Sequence, residues 1–520
     1  MSTHSRTYNS VANSIYGIVA SIVTVALNFA VRVVLVRQLG EEINGINSLF
    51  QSVISMMALM EMGISSAMII HLYEPVKNED RRTISAIMGF YRCVYLYVAG
   101  GFALVGVLVS LFLIDRLVTS SIPTGSVRLY FLLFTATFVL NYLTYYKRSL
   151  LFAEQKNRVS TTVTAVCELV FRTAQIAMLL VWQSYVLFLL LLMSERLVSN
   201  YICQRYVDRY HPYLKHNNTA ISREKKQAIF KTVRPLMVNQ TATTLQGTAS
   251  SILISLLLGN VAIVGYFGVY LMVVSVIRLL YGQLGSAFTT SFGSLAVEND
   301  HQHMEWTYRR TAFLFNWIAC VCGAVFIACV DDFVFLFFGQ NFVLDQLSVF
   351  IITSSMLVGL INIPVISIQN AMGLHQWDAT ALVIQAVAAI AMGYAMGLLW
   401  GMPGILIGLL IPTVCISLFR KGIVICRVAF SMPWQRFLRF ILPDIARIFG
   451  VVFLTSFVIT MVSMAPSLGS IVLKAAIALA LSISIPMLTS LFKPEFRATI
   501  KLAQTMASKV SKRKHHTYAA

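Results

Sequence analysis

The chain has 520 residues, of which 58% are hydrophobic and 12% charged, and its formal net charge is +19. Its mean hydropathy is +0.75. This composition excludes a water-soluble domain and predicts a polytopic all-α membrane protein. The basic residues lie between the apolar runs, as in the cytoplasmic loops of such a protein, so they do not indicate a nucleic-acid partner. The eight cysteines form no CxxC pair, and neither a metal nor any other cofactor is expected.

A bilayer core of about 30 Å needs about 20 apolar residues per helix, and by this measure the sequence predicts about fourteen transmembrane helices. In chain order the predicted spans are Ser14–Val36, Ile43–His71, Ser85–Ile114, Leu129–Tyr146, Ser160–Val181, Tyr185–Cys203, Thr232–Leu258, Val261–Leu295, Thr311–Val330, Leu347–Ala371, Ala379–Leu399, Pro403–Phe419, Ala446–Met464 and Ile471–Leu491.

The loops between these spans predict the orientation of the chain. Basic segments at 77–82, 145–158, 222–234 and 419–427, together with the tail 511–516, alternate with links that are nearly uncharged or acidic. The positive-inside rule therefore predicts that both termini are cytoplasmic, which requires an even number of spans. The outer links are short and leave no room for a soluble domain; they are predicted at 182–184, 259–265, 331–345, 400–404 and 463–470.

Two stretches of the sequence resemble each other. "QLGEEINGINSLFQSVISMMALMEMGISSA" follows the first span, and "LLGNVAIVGYFGVYLMVVSVIRLLYGQLGSA" follows the seventh. The matched positions are Gly40 with Gly259, Gly45 with Gly265, Glu61 with Gln283, and Gly63 with Gly285. Because six spans separate the copies, they have the same orientation and form a parallel repeat, a pattern of transporters that bind substrate between two halves.

The repeat predicts two six-helix lobes followed by an extra helix pair. The predicted divisions are an N-terminal lobe at 1–204, a basic cytoplasmic linker at 205–231, a C-terminal lobe at 232–428, the extra pair at 429–492 and a basic cytoplasmic tail at 493–520. The tail is expected to contact anionic lipid headgroups.

Several segments resemble the polysaccharide flippases of the multidrug/oligosaccharidyl-lipid/polysaccharide (MOP) exporter superfamily. They include Gly45 with "SLF", the "MGISSA" turn, "LYEP", Asp80 before a basic helix start, "FVFLFFGQNF", "NAMG" and "MPGILIG". The resemblance implies a bacterial cytoplasmic-membrane protein that moves undecaprenyl-pyrophosphate-linked oligosaccharide outward by alternating access. It also implies a cleft between two lobes, lined by the first, second, seventh and eighth helices. A polysaccharide polymerase and glycosyltransferases are candidate protein partners, beside membrane lipids.

A lipid-linked pyrophosphate needs cations, preferably arginine for its bidentate fork. Arg278, near the centre of the eighth span, ranks first as a phosphate ligand, with pairing to an acid on another helix as the alternative. Arg32 shares one helix face with Asn28, and snorkelling toward the outer surface is its alternative role.

Two polar stripes and several intramembrane charges complete the set of candidates. One stripe on the seventh span recurs at helical spacing and consists of Asn239, Thr243, Gln246 and Ser250. A similar stripe on the first span consists of Ser21, Thr24, Asn28 and Arg32. Such stripes either line a cleft or join helices. Glu168 and Arg172 are predicted to form a structural i,i+4 ion pair. Glu195 is expected to cross-link the fifth and sixth helices.

Glu61 is an acid in an apolar and small-residue stretch, with no cation within a helical turn. Its match to Gln283 favours a hydrogen bond at a helix contact, while coupling or gating remains the alternative. A lipid-linked oligosaccharide flippase is therefore the first functional hypothesis. A drug or cation antiporter on the same fold is the second, and a membrane enzyme is disfavoured because the outer links are too short for a catalytic domain.

Overall fold

A computed structural model describes residues 3–61, 63–215, 221–298, 301–374, 378–462, 464–491 and 493–497 of the chain. Within these ranges the side chains at 3–21, 60, 215, 232, 234–236, 238–239, 242–243, 287, 290–291, 294 and 296–298 lie outside the description. The described residues form helices, turns and short links, without a strand. Eleven described helical stretches are long and apolar enough to cross a membrane, which confirms a polytopic all-α membrane protein.

The helices in the first half of the chain have the following residue ranges. They are α1 Thr3–Met57, α2 Ile64–Lys77, α3 Arg81–Phe112, α4 Ile114–Leu117, α5 Thr124–Tyr145, α6 Arg148–Ala153, α7 Asn157–Trp182, α8 Tyr185–Tyr210 and α9 Arg223–Leu258.

The second half begins within the next helix. Its helices are α10 Val261–Glu298, α11 His301–Phe338, α12 Gln346–Ile361, α13 Ile363–Met372, α14 Ala379–Pro412, α15 Lys421–Phe430, α16 Trp434–Met461 and α17 Leu468–Ser490. A π-helical segment, Thr413–Arg420, joins α14 to α15.

Packing divides the chain into two compact units, Met1–Gly268 and Val269–Ala520, so the division falls within α10. In the first unit α1 packs on α7 and α9, α3 packs on α5, and α5 packs on α8. In the second unit α11 is central, because it packs on α12, α16 and α17. The lobe boundaries predicted at 204, 232 and 428 stay predictions.

Two long helices are interrupted at places where the sequence predicts links between spans. Gly40, with φ 85° and ψ 179°, is non-helical and divides α1 into two helices at the predicted first turn. Trp400 and Gly401 likewise divide α14 into two helices at the predicted link 400–404. The predicted outer link 331–345 is helical as far as Phe338. Glycine reaches these positive φ values at little steric cost, and the apolar run on either side remains helical.

Caps and exposed apolar faces complete the fold. Asp80 caps α3 by accepting a hydrogen bond from the Thr83 amide at 3.0 Å, and its hydrogen bonds with Thr83 hold the pKa of the carboxyl below its usual range. Large apolar side chains cover exposed helix faces, including Tyr97 at 77% exposure and Val472 at 70%. Faces of this kind suit contact with lipid.

Candidate functional site

Arg32 holds three segments of the first unit together. Its Nε donates to Asn44 Oδ1 at 3.0 Å and its Nη2 to Ser48 Oγ at 2.7 Å, both on α1 after the bend. Nη1 donates to the carbonyl of Gly268 at 3.1 Å, and Nη2 also reaches the carbonyl of Gly265 at 3.5 Å. The planar guanidinium suits this multiple donation. The structure therefore gives Arg32 neutral oxygen partners across α1 and α10, and a ligand would compete with them.

Matched glycines of the sequence repeat lie against each other beside this arginine. A Cβ on Gly45 would lie 2.1 Å from the carbonyl oxygen of Val261, and one on Gly265 would lie 2.8 Å from the Gly45 nitrogen. A Cβ on Gly268 would lie 2.7 Å from Arg32 Nη2. Small residues permit such close backbone approach between membrane helices. The sequence repeat thus corresponds to a physical contact between its two copies.

Glu61 lies where α1 gives way to α2. A short 3₁₀ turn, Ala58–Met60, precedes it, and Gly63 caps α2 with φ 85°. Tyr95 on α3 donates its hydroxyl to Glu61 Oε1 at 2.5 Å, and Tyr91 donates to Tyr95 at 3.1 Å. The predicted hydrogen bond at a helix contact is present in the structure, while a role of Glu61 in coupling or gating stays a prediction.

The two tyrosines were not identified from the sequence, although their i,i+4 spacing is visible there. Tyr91 and Tyr95 are almost fully buried, and Tyr95 packs edge-on against Tyr142 with ring centroids 5.9 Å apart. The rings of Tyr91 and Tyr95 therefore pack on the α3 side of the Glu61 carboxylate. A pattern of i,i+4 tyrosines indicates a shared helix face, but not the distant acid that this face contacts.

The predicted Glu168–Arg172 ion pair is wrong. Arg172 Nη2 instead pairs with Glu195 Oε2 at 3.5 Å, and Arg172 Nη1 donates to Gln175 at 3.0 Å. Glu168 accepts a hydrogen bond from Thr24 on α1 at 2.6 Å. The i,i+4 spacing made the intrahelical pair available, but partners on α8 and α1 are closer in the packed unit. The expected cross-link through Glu195 between the fifth and sixth spans, α7 and α8, is confirmed.

The other polar candidates of the first unit lie on α1 and α9. Asn28 is half-buried, and no hydrogen bond joins its side chain to another described residue. Gln246, on α9, is half-buried and does have a polar partner. Asn239 and Thr243 belong to α9, but their side chains lie outside the described residues. A cleft-lining role for these four residues stays a prediction.

Arg278, on α10 in the second unit, has an environment unlike that of Arg32. Its side chain is exposed, and its Nη2 donates to the backbone carbonyl of Ser355 on α12 at 3.3 Å. A Cβ on Gly359 would lie 3.6 Å from Arg278 Nε, an ordinary van der Waals distance, so the guanidinium lies beside this residue of α12. No carboxylate pairs with Arg278 among the described residues. The alternative of an acid on another helix is therefore not realised in the described part of the chain.

The second copy of the repeat has no break like that at Glu61. Gln283 and Gly285 lie within continuous α10, and the Gly285 carbonyl accepts a hydrogen bond from Ser367 on α13 at 3.1 Å. A Cβ on Gly285 would lie 2.6 Å from Ile363 Cγ2. The matched glycine therefore serves close helix packing instead of a turn.

Buried charge networks in the second unit were also missed from the sequence. Asp444, with no exposed surface, accepts from Arg447 at 2.8 Å, Lys493 at 2.7 Å and Asn316 at 3.2 Å. Asp332 pairs with Lys474 at 2.8 Å. Asp444 and Arg447 stand at i,i+3, which was a usable signal, whereas the contacts to α11 and to Lys493 depend on tertiary packing.

The arrangement of the helices is similar to that of solved membrane transporters. The chain is similar to the lipid II flippase MurJ in an inward closed conformation, with a TM-score of 0.66 and 13% identity, covering 92% of this chain and 99% of that one. It is also similar to a multidrug resistance MATE family transporter of the MOP superfamily in an inward-facing conformation, with a TM-score of 0.60 and 13% identity over 82% of this chain and 98% of that one. Likeness at this identity shows the fold alone.

A third structural relative agrees with the first two. A mutant of the Vibrio cholerae MATE transporter VcmN matches with a TM-score of 0.52 and 14% identity, covering 82% of this chain and 98% of that one. No curated protein matches the sequence. Residues 10–292 match the family described as polysaccharide biosynthesis protein, and the chain belongs to that family.

Proposed function

We propose that the chain is a flippase that moves undecaprenyl-pyrophosphate-linked oligosaccharide from the cytoplasmic to the outer leaflet of a bacterial cytoplasmic membrane. The observation that carries the proposal is Arg278, an exposed guanidinium on a membrane-spanning helix with a single carbonyl acceptor among the described residues. A charge inside a membrane span is costly, and such residues commonly line a substrate path. Membership in the polysaccharide biosynthesis family supports a sugar-containing cargo.

Arg278 can supply the chemistry that a pyrophosphate requires. Its Nη2 donates to a neutral carbonyl, so no buried carboxylate has to be displaced before a phosphate binds. Two parallel N–H donors of a guanidinium match two phosphate oxygens. Arg32 is the weaker candidate in this proposal, because its donors already hold Asn44, Ser48 and Gly268.

The proposed topology keeps fourteen spans with both termini in the cytoplasm, and transport by alternating access of two six-helix lobes. Ala379–Phe430 is an apolar stretch of 52 residues with a kink at Gly401, and two crossings suit it better than one. The break at Gly40 similarly divides Ile22–Met57, an apolar stretch of 36 residues, into two helices. Both features support more than eleven transmembrane spans.

The test is the distribution of lipid-linked sugar in a bacterial strain that depends on this chain. Arg278→Ala is expected to abolish surface polysaccharide and to leave lipid-linked oligosaccharide on the inner leaflet, at normal protein levels in the membrane. Arg209→Ala, which removes an exposed arginine at the cytoplasmic end of α8, is the matched control and is expected to export normally. Normal polymer in the Arg278→Ala strain would remove this residue from the mechanism.

A drug or cation antiporter is the second candidate, favoured by the structural likeness to a multidrug resistance transporter and by the Glu61 carboxylate. Deleting the gene distinguishes the two functions. Increased sensitivity to cationic drugs without accumulation of lipid-linked sugar on the inner leaflet would support the antiporter and contradict the flippase.

A further inference from the structure

Three arginines surround a small pocket at one end of the second unit. The pocket measures about 130 Å³ and is lined by Arg309 of α11, by Met432, and by Arg436, Arg439 and Phe440 of α16. We propose that this pocket binds the phosphate of an anionic phospholipid headgroup. The site is separate from Arg278, and the proposal does not depend on the identity of the transported cargo.

The charges around the pocket leave one cation without a carboxylate. Arg309 pairs with Glu495 at 2.8 Å, and Arg436 pairs with Glu305 at 3.0 Å. Glu305 also reaches Arg309 at 3.8 Å. Arg439 is exposed and forms no ion pair with another described residue. Three guanidinium groups thus face two carboxylates, and a phosphodiester with one negative charge would balance the remainder.

The lining of the pocket also suits a headgroup. Arg309 lies over the ring of Phe440, with its guanidinium carbon 5.4 Å from the ring centroid, which fixes one guanidinium plane at the pocket wall. Arg436 and Arg439 extend from the first turns of α16 and are exposed, so their donors are accessible to a ligand. Guanidinium forks bind phosphate oxygens in pairs, which gives such a cluster selectivity for phosphate.

A second basic cluster on the same helix pair provides a contrast. Arg447 and Lys493 both pair with Asp444, which is fully buried and also accepts from Asn316. Arg447 and Lys493 therefore share one carboxylate partner, and that carboxylate has no exposed surface. Arg439 lacks such a partner among the described residues, and this difference favours the pocket beside α11 as the anion site.

The predicted topology places the pocket where anionic lipids are available. α16 follows the basic segment 419–427, which the charge distribution assigns to the cytoplasmic side. Trp434, the first residue of α16, is 53% exposed, and tryptophan at a helix end is typical of the headgroup level of a membrane. Basic pockets between membrane helices on this side bind anionic headgroups.

The experiment measures lipid retention by the full chain. The protein is placed in nanodiscs of phosphatidylcholine with increasing phosphatidylglycerol, and tightly bound lipid is counted by native mass spectrometry after release. Wild-type protein is expected to retain phosphatidylglycerol in preference to phosphatidylcholine. Arg439→Gln is expected to weaken that retention about fivefold, equivalent to about 1 kcal/mol for one basic residue near an anionic surface.

Control variants distinguish a specific binding pocket from general surface charge. A soluble phosphate compound distinguishes a lipid site from a site for free phosphate. Arg439→Lys is expected to lose less affinity than Arg439→Gln, while Arg223→Gln, at an exposed position on α9, is expected to match wild type. Unchanged retention in Arg439→Gln, or an equal loss in Arg223→Gln, would overturn the proposal. It would also be overturned if glycerol 3-phosphate, which has no acyl chains, raised the thermal unfolding midpoint as much as phosphatidylglycerol at equal concentration.

Discussion

The two copies of the sequence repeat have adopted different structures at matched positions. The first copy bends at Gly40 and breaks again at Glu61–Gly63, so that α1 and α2 are separate helices. The second bends at Gly259, whose φ is 61°, and then continues as unbroken α10 past Gln283 and Gly285. The shared glycine bend therefore belongs to the repeat, and the second break is particular to the first copy.

Arg32, near the first copy, and Arg278, in the second copy, also differ in their environments. Arg32 donates to both α1 and the start of α10, with acceptors that belong to the packed unit. Arg278 has one carbonyl acceptor among the described residues, and its side chain is exposed. Among the described residues, Arg32 therefore has more hydrogen-bond partners than Arg278.

The largest effect on stability is expected from Gly45→Ala. The new methyl group would lie 2.1 Å from the backbone oxygen of Val261, and a backbone atom cannot move aside as a flexible side chain can. We expect a loss of about 3 kcal/mol or more, seen as a lower thermal unfolding midpoint in detergent. Gly89→Ala on α3, with open space around the new Cβ, is the matched control and should be neutral or slightly stabilising. Equal midpoints for the two variants would contradict the close contact.

Replacing Arg32 and Arg278 by alanine, one at a time, tests whether the first stabilises the fold and the second binds substrate. Arg32→Ala leaves Asn44, Ser48 and two carbonyls without their donor, so we expect a destabilisation of about 2 kcal/mol. Arg278→Ala should change stability by less than about 0.5 kcal/mol, because the side chain is exposed, while it abolishes export. Thermal unfolding of both purified variants gives the comparison. A similar destabilisation by both would show that the two arginines have the same structural role.

The break at Glu61 can be tested through its hydrogen bond. Tyr95→Phe removes the donor to the carboxylate and is expected to cost about 1.5 kcal/mol, whereas Glu61→Gln keeps an acceptor and should cost less. Tyr97→Phe, at an exposed position on the same helix, is the control and should leave the unfolding midpoint unchanged. Normal polysaccharide export by Glu61→Gln would support a structural role. Loss of export with unchanged stability would instead favour coupling or gating.

The smallest effect is expected at the glycine that follows the break. Gly63→Ala places a Cβ on a residue with φ 85° and should cost about 1 kcal/mol, while Gly63→Asn should cost less because asparagine tolerates this region better. Gly282→Ala, at a helical position with open space, is the matched control and should not destabilise. Unfolding midpoints rank the three variants. If Gly63→Ala equals its control, the left-handed conformation at Gly63 would be contradicted.

Pairing errors in the sequence analysis have a common physical cause. The predicted Glu168–Arg172 pair relied on spacing within one helix, but Thr24 and Glu195 on other helices provide the actual partners. At the matched Gln283–Gly285 position, close packing against Ile363 accompanies a continuous helix, unlike the break at Glu61–Gly63. Local spacing cannot include the rotation of neighbouring helices, which decides which polar groups meet.

By itself, the sequence determined the membrane class, the helical architecture, the repeat and the family resemblance. Each depends on local hydrophobic length, on charge between spans or on short motifs, all of which can be read along the chain. Only the tertiary structure decided that Gly45 meets Gly265, that Tyr95 holds Glu61 and that Arg439 lacks a carboxylate among the described residues. These contacts join residues distant in sequence, and they depend on how the helices are packed and rotated, which the hydrophobic pattern does not specify.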